Sequence, residues 1–381
     1  MIATGLRDQL EASVRAGNAK GVQAYLSLRG EVAFACTIGE ALPGVAMRAD
    51  TAVLWMSAGK PLTAVAIATL LGAGRLDWDD PVSDWVPGFE AHGKEAVTVR
   101  QVLMHTGGFR AAAVDYPADD WPTIQRKVNA ARLEPGWVPG ERAGYHVHTG
   151  WWALGAVIEA CSGEEFAAYM RRAVLEPTGM TRSWVTMPAE VHAGLTQRSL
   201  LAAMPNTLGS GSESVTAWDF TGTETQAWCG NVRPGGNAYG PASELQRFYR
   251  MMLDETAVGG DAPGTIDGVR IIDPTIAREL VHRHRDGMMD RTFRHVMDWG
   301  LGFMLDSKHH QAEGNTSPYG YGPYASPNTF GHGGSQCAVG FADPQHQLAG
   351  AILWNGQPGE PAHQKRLDVA MAALYEDLGL V

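Results

Sequence analysis

Apolar, strand-like segments lie at both ends of this 381-residue chain, and mostly helical text lies between them. Residues 22–28 and 32–38 are joined by a turn at Arg29 and Gly30, which predicts a hairpin. Near the other end, residues 338–342 and 348–354 also predict strands. Distant strands need partners, so we expect an α/β (α+β) fold in which both ends of the chain complete one antiparallel sheet, flanked by helices.

The same pattern predicts two domains. Residues 1–85 and 240–381 would form an α/β domain, and residues 86–239 an inserted, mainly helical domain with long loops. Periodic apolar residues predict helices around Leu6, Leu10 and Val14 and over residues 150–161, 166–175, 243–253 and 362–378. Residues 185–240 are rich in Gly, Ser and Thr and predict ordered loops, residues 51–56 an extended segment, and residues 299–305 a further strand.

Charge and composition restrict the partners. A hydrophobic content of 45% supports a packed core, and the formal net charge of −11 argues against nucleic acid or an anionic membrane. This charge is most consistent with a small-molecule ligand. The sequence does not decide whether the chain forms a homo-oligomer. Residues 1–20 have charged side chains and no long apolar run, so we expect no signal or membrane anchor and a cytoplasmic location.

Cysteine and histidine spacing predicts neither disulfides nor a cofactor. The four cysteines, Cys36, Cys161, Cys229 and Cys337, are far apart and without CxxC spacing, which is typical of reduced thiols. The histidine pairs His282/His284 and His309/His310 have no acid or thiol ligands at useful sequence spacing. We therefore expect no metal site.

The strongest chemical signal is Ser57-Ala58-Gly59-Lys60, at the start of a predicted apolar helix. Residues i and i+3 share a helix face, so the Lys60 amine can lie against the Ser57 hydroxyl and take its proton. The motif is short and also occurs by chance, so it needs partners elsewhere.

Two later segments supply candidate partners. Tyr145 precedes the helix predicted at 150–161, and its phenol can share proton transfer with a lysine. The glycine-rich segment Phe330-Gly331-His332-Gly333-Gly334-Ser335 allows close backbone approach to a ligand, where an N–H can stabilise an oxyanion. The alternatives are a packed tyrosine and a β-bulge beside a solvated histidine.

Taken in order, Ser57-x-x-Lys60, Tyr145 and His332-Gly333-Gly334 resemble the serine β-lactamase and penicillin-binding-protein superfamily. The similarity is to its class C-like branch, with the family VIII carboxylesterases and D-amino-acid amidases, and covers almost the whole chain. The resemblance implies an antiparallel sheet flanked by helices, a helical domain, and an active site between them. By the same resemblance Ser57 is acylated, Lys60 and Tyr145 relay protons, and the N–H groups of Ser57 and Ser335 form the oxyanion hole.

The chain departs from the family pattern at two positions. The usual Tyr-x-Asn motif has Val147 as its third residue here, unless another register places His148 there. His332 stands where a lysine is common, which weakens recognition of a substrate carboxylate. Both changes favour esters or amides with uncharged acyl groups. We consider His148, Trp152, Phe109 and Tyr239 candidates for a substrate pocket.

The leading prediction is therefore a metal-free serine hydrolase that cleaves small carboxylic esters or amides through an acyl-enzyme on Ser57. An acyltransferase on the same scaffold is the alternative, and a β-lactamase or D-amino-acid peptidase is a weaker one. A recognition module without enzymatic activity is a further candidate. An α/β-hydrolase is disfavoured because Trp55 occupies the first glycine position of the Gly-x-Ser-x-Gly motif.

Overall fold

We analysed a computed structural model of the chain, which describes residues 4–208, 222–313 and 319–381. Part of the loop region predicted over 185–240, including Gly209 to Ser212, lies outside these residues. Among the described residues, none of the helices combines the length and apolar character required to cross a bilayer.

Over residues 4–208, 222–313 and 319–381, the strands form one large antiparallel sheet and three two-stranded pairs. In chain order they are β1 Gly21–Leu28, β2 Glu31–Leu42, β3 Val45–Ala46, β4 Val53–Leu54, β5 Tyr239–Gly240, β6 Thr265–Ile266, β7 Val269–Arg270, β8 Met289–Asp290, β9 His295–Val296, β10 Met304–Leu305, β11 Phe330–Gly334, β12 Ala338–Asp343 and β13 Leu348–Trp354. The large sheet has the order β10-β11-β12-β13-β1-β2-β3, and β4 pairs with β5.

The pairing of β1 with β13 confirms that both ends of the chain complete one sheet. Tyr25 lies opposite Ala351 in an antiparallel register. The strand predicted over 299–305 was too long, since only Met304–Leu305 pairs with β11. Gly302 has φ +82, a left-handed conformation that interrupts an extended segment.

The helices are α1 Thr4–Arg15, α2 Lys60–Gly72, α3 Val99–Leu103, α4 Trp121–Asn129, α5 Thr149–Ser162, α6 Phe166–Met170, α7 Ala189–Gln197, α8 Gln226–Cys229, α9 Ala242–Met251, α10 Pro274–Val281 and α11 Glu360–Asp377. Short 3₁₀ segments cover Met56–Gly59, Val82–Asp84, Thr256–Val258 and Lys308–Glu313. Two sequence predictions need correction. The helix over 166–175 ends as a π-helical turn at Arg171–Leu175, and the predicted loop region contains α7 and α8.

The two faces of the sheet pack against different helices. On β13, Ala349, Ala351 and Leu353 belong to the hydrophobic core that contains α2, α5 and α9. Leu348, Ile352 and Trp354 belong to a second core with α1 and α11. This alternation is the period of two expected for a strand buried on both faces. Helix α2 is surrounded by α5, α10 and the sheet, which explains why its sequence is apolar on all sides.

Candidate active site

Ser57 and Lys60 lie where the chain leaves β4 and enters α2. Met56, directly before Ser57, has φ +49, an uncommon conformation for a side chain of this size. The 3₁₀ turn Met56–Gly59 then leads into α2 at Lys60. A hydrogen bond of 2.8 Å joins Lys60 Nζ to Ser57 Oγ, and Nζ also donates to the carbonyl oxygen of Gly235 at 2.5 Å. The predicted contact between the amine and the hydroxyl is therefore present.

The environment of Lys60 favours the neutral amine. The side chain is fully buried, and burial lowers the pKa of Lys60 well below its usual value, with a further contribution from the positive charge of Arg233. Arg233 is held over the rings of Tyr116 and Trp228, at 4.5 and 5.5 Å from their centroids. An uncharged amine can accept the Ser57 proton.

Tyr145 is in contact with the same hydroxyl. Its ring centroid lies 5.2 Å from Lys60 Nζ, and its phenol hydrogen bonds to Ser57. Burial raises the pKa of Tyr145 above its usual value, although the hydrogen bond to Ser57 opposes that shift. The phenol is therefore protonated at neutral pH and can act as a proton donor.

The backbone of Tyr145 is fixed by a buried carboxylate that sequence reasoning missed. Asp290 Oδ1 accepts hydrogen bonds from the amides of Tyr145, Thr292 and Phe293 at 2.9–3.1 Å. Its other oxygen accepts from Arg285 Nη2 at 2.8 Å, and both partners of this ion pair are fully buried. These residues are 140 or more positions from Tyr145 in sequence, and neither forms a recognisable motif with it.

Strand β11 forms the wall opposite the turn at Ser57. A Cβ atom at Gly334 would clash with the carbonyl oxygen of Trp55, so glycine is required for this approach. His332 Nδ1 lies 2.7 Å from the carbonyl oxygen of Gly333 and donates to it. Burial and the neighbouring Lys60 lower the pKa of His332 to about 3. The ring is therefore neutral, and its Nε2 is an acceptor with no hydrogen-bond partner among the described residues.

A cavity of about 280 Å³ lies between β11, Tyr145 and the start of α11. Six predicted site residues line it: Ser57, Tyr145, His332, Gly333, Gly334 and Ser335. Lys60 is buried behind Ser57. The structure thus brings the predicted nucleophile, phenol and glycine-rich strand to one opening.

The four predicted pocket residues do not line this cavity. Phe109 is buried in the core, where its ring centroid lies 5.1 Å from that of Phe89. Tyr239 is buried in β5, where its hydroxyl donates to the carbonyl oxygen of Thr223 at 2.6 Å. Trp152 is buried in α5, and its ring centroid is 5.3 Å from that of His148.

Val147, rather than His148, faces the cavity on this side. His148 directly precedes α5, and its carbonyl oxygen accepts hydrogen bonds from the amides of Trp151 and Trp152 at 3.0 Å. The placement matches the Tyr-x-Asn register with Val147 as its third residue, so the polar amide of that motif is absent here.

Sequence reasoning also missed the face of α11 that lines the cavity. Glu360, His363, Gln364 and Leu367 lie on this wall. Their spacing of i, i+3, i+4 and i+7 places them on one helix face, and this signal was available in the sequence. The predicted helix began at residue 362, two residues too late to include Glu360.

One cluster has the donor set of a metal site, which the sequence spacing around His309 and His310 did not indicate. Asp286 and Asp298 precede the two histidines in the chain, and one ligand atom from each of the four residues lies within 4.8 Å of the others. His310 Nε2 is 3.0 Å from Asp298 Oδ1. Asp298 also accepts from Arg283 and from the amide of Gly287, so its oxygens already have hydrogen-bond donors. None of the four residues lines the cavity at Ser57.

Comparison with known proteins identifies the family. A family model described as Beta-lactamase matches residues 6–375. The chain belongs to the β-lactamase family. This family member is 25% identical to the esterase/beta-lactamase LipL of Mycobacterium tuberculosis, over 81% of the chain and 70% of LipL. It is 28% identical to penicillin-binding protein 4 of Amycolatopsis lactamdurans, over 88% of the chain and 87% of that protein.

A solved structure supports the fold of this β-lactamase family member. The crystal structure of a family VIII carboxylesterase matches with a TM-score of 0.74, covers 97% of both chains and is 24% identical. The family match confirms the superfamily resemblance, and the structural match confirms the predicted fold class.

Proposed function

We propose that this protein is a serine hydrolase that cleaves small carboxylic esters or amides through an acyl-enzyme on Ser57. The observation that carries the proposal is the 2.8 Å hydrogen bond between the buried Lys60 amine and Ser57 Oγ, beside Tyr145 at an open cavity. Relatives named as an esterase/beta-lactamase and as a penicillin-binding protein support the reaction class.

In the proposed acylation, neutral Lys60 takes the proton of Ser57, and Ser57 Oγ attacks the carbonyl carbon. The backbone N–H groups of Ser57 and Ser335 would stabilise the oxyanion. When the tetrahedral intermediate collapses, the bond to the alcohol or amine breaks, and the Tyr145 phenol protonates that leaving group. The ammonium of Lys60 returns its proton to Tyr145. Water then attacks the acyl-enzyme, with Tyr145 and Lys60 as proton relay.

The cavity wall supports substrates with an apolar acyl group. Apolar side chains form much of it: Val147, Phe293, Met304, Val339 and Leu367. The pKa of His332 is too low for a permanent positive charge, which a substrate carboxylate would require. These features support esters and simple amides over β-lactams or peptides that end in a carboxylate.

A substrate panel tests this function. Wild type and Ser57→Ala would be compared on p-nitrophenyl esters, simple amides and a β-lactam. We expect ester turnover by the wild type and a loss of about 10⁴-fold or more in Ser57→Ala. Equal turnover by both proteins would refute the proposal. Adding candidate alcohols or amines separates hydrolase from acyltransferase, because an acyltransferase would divert acyl groups from water to the acceptor.

A further inference from the structure

We propose that Glu360 forms a subsite for a cationic amine, so that the preferred substrates are esters or amides that carry an ammonium group. This inference rests on the hydrolase function proposed above and specifies its substrate class. It starts from the position of Glu360 in the first turn of α11, on the wall of the cavity that contains Ser57.

The two oxygens of this carboxylate differ in their contacts. Oε1 accepts a hydrogen bond from the hydroxyl of Ser335 at 3.3 Å, which places the carboxylate next to the glycine-rich end of β11. Oε2 is buried, and within the described part of the chain it has no hydrogen-bond partner. A buried carboxylate oxygen without a donor is costly, and a ligand that supplies an N–H donor removes that cost.

Glu360 is also the only carboxylate among the described residues that line the cavity. The two histidines on this wall, His332 and His363, have pKa values lowered by burial and are neutral at pH 7. Burial likewise favours the neutral form of Lys60 behind Ser57. Among the described lining residues, the carboxylate of Glu360 is thus the group that can present a negative charge to a bound substrate, and neither histidine balances it with a positive charge.

A cation whose charge acts on Glu360 is Arg366, which lies further along α11. Its guanidinium donates to the carbonyl oxygens of Asn18, Gln336 and Gly356 and to His363 Nδ1. These acceptors occupy Arg366, so it does not form an ion pair with Glu360. Burial raises the pKa of the Glu360 carboxyl, and the hydrogen bond from Ser335 and the charge of Arg366 oppose that shift. An incoming ammonium group would be the direct partner of Glu360.

The same arrangement predicts what the site rejects. A substrate carboxylate near Ser335 would face Glu360 at close range without a compensating cation, and like charges in a partly desolvated site repel strongly. The subsite thus gives a physical reason for this chain to select against substrates that carry a carboxylate. A lysine at position 332 would instead attract such substrates.

Matched substrate pairs test the proposal. The first pair places the charge on the acyl group: phenylalanine methyl ester, in both enantiomers, against methyl 3-phenylpropanoate. The second places it on the leaving group: 2-(dimethylamino)ethyl butanoate against 3-methylbutyl butanoate, which have the same shape. The measured quantity is the ratio of kcat/KM for the cationic over the neutral ester, at low ionic strength and a pH at which the amine is protonated.

We expect wild type to favour the cationic ester roughly tenfold in at least one pair, and Glu360→Gln to reduce that ratio toward one. Glu376→Gln is the matched control, because it removes the same charge from an exposed position of the same helix and should leave the ratio unchanged. Circular dichroism would verify that both variants fold.

Wild-type preference for the neutral ester in both pairs would overturn the subsite. A cationic preference that survives in Glu360→Gln would overturn it as well. Wild type that hydrolyses none of the four esters would instead contradict the proposed hydrolase function, so the two failures are distinguishable.

Discussion

At the scale of single residues, the chemistry depends on which proton each group carries. Burial moves the pKa of Lys60 down and that of Tyr145 up, which supports the proposed roles of the amine as a base and of the phenol as an acid. The sequence spacing alone predicted the contact of Lys60 with Ser57, because i and i+3 are neighbours in any helix. It did not predict the acceptor at Gly235, which is 175 positions away from Lys60.

The first prediction concerns pH. Because only the neutral amine accepts the Ser57 proton, kcat/KM should be lost as pH falls through the pKa of Lys60, which burial places well below that of an ordinary lysine. The measurement is kcat/KM for a p-nitrophenyl ester over a broad pH range. If kcat/KM instead fell on the acidic side with a pKa close to ~10.4, that of an ordinary lysine, this expectation would be contradicted.

Lys60→Arg provides the matched variant. A guanidinium stays charged at every accessible pH and cannot act as the base. We expect kcat/KM to fall by roughly 10²–10⁴-fold, with no recovery at high pH. Activity of Lys60→Arg close to wild type would exclude Lys60 as the proton acceptor.

At the scale of elements, two contacts position the reacting groups. Strand β11 packs against the turn at Met56–Gly59 through Gly334, and the segment at Asp290 holds the backbone of Tyr145. Both contacts join parts of the chain that are far apart in sequence.

The prediction for β11 is that Gly334→Ala disrupts this approach. A methyl group there clashes with the carbonyl oxygen of Trp55, and moving β11 also displaces Ser335 from Ser57. We expect a fall in Tm of several degrees, from about 1–3 kcal/mol of overpacking, together with reduced kcat. Gly333→Ala is the stability control, since its nearest atom would be 3.9 Å from the new Cβ. Equal Tm values for the two variants would contradict the expected difference.

The prediction for the Asp290 segment is that Asp290→Asn destabilises the protein and slows catalysis. It leaves the fully buried Arg285 without its counter-charge, which costs about 3–5 kcal/mol in typical buried pairs. Urea unfolding measures this change. As a comparison, Glu11→Gln breaks the exposed pairs of α1 and should alter the free energy of unfolding by less than about 1 kcal/mol. Similar losses of unfolding free energy in Asp290→Asn and Glu11→Gln would contradict the expectation that breaking a buried ion pair costs more than breaking an exposed one.

At the scale of the whole molecule, the two ends of the chain close the fold. Besides the pairing of β1 with β13, Asp377 at the end of α11 accepts hydrogen bonds from the amides of Gly5 and Leu6 at 3.2 and 2.7 Å. These amides belong to the first turn of α1 and have no partner within their own helix. A carboxylate from the other end of the chain thus caps α1.

We therefore expect Asp377→Ala to reduce the free energy of unfolding by about 1 kcal/mol, as loss of a helix cap does. Hydrogen exchange should become faster at the amides of Gly5 and Leu6. Glu376→Ala is the neighbouring control and should change stability by less than about 0.5 kcal/mol. Unchanged protection of the α1 amides in Asp377→Ala would show that this cap does not hold the chain ends together.

The sequence predicted those parts of the structure that depend on local patterns. Strand β13 was predicted with its observed bounds, and α2 and α5 within two residues, because their apolar runs end at clear glycine or capping signals. The four predicted pocket residues, three aromatics and one histidine, were misplaced, since composition cannot separate an apolar cavity wall from an apolar core. Glu360 was missed because its place on the cavity wall, beside Ser335, arises only in the folded chain.

The central claim is that Ser57 becomes acylated with Lys60 as its base. Its most direct test is intact-mass and peptide mass spectrometry after reaction with a fluorophosphonate, in wild type and Ser57→Ala. We expect one adduct per chain, located on Ser57, formed with complete loss of esterase activity and absent from Ser57→Ala. A wild-type protein that stays unmodified and active, or that carries the adduct on another residue, would contradict it.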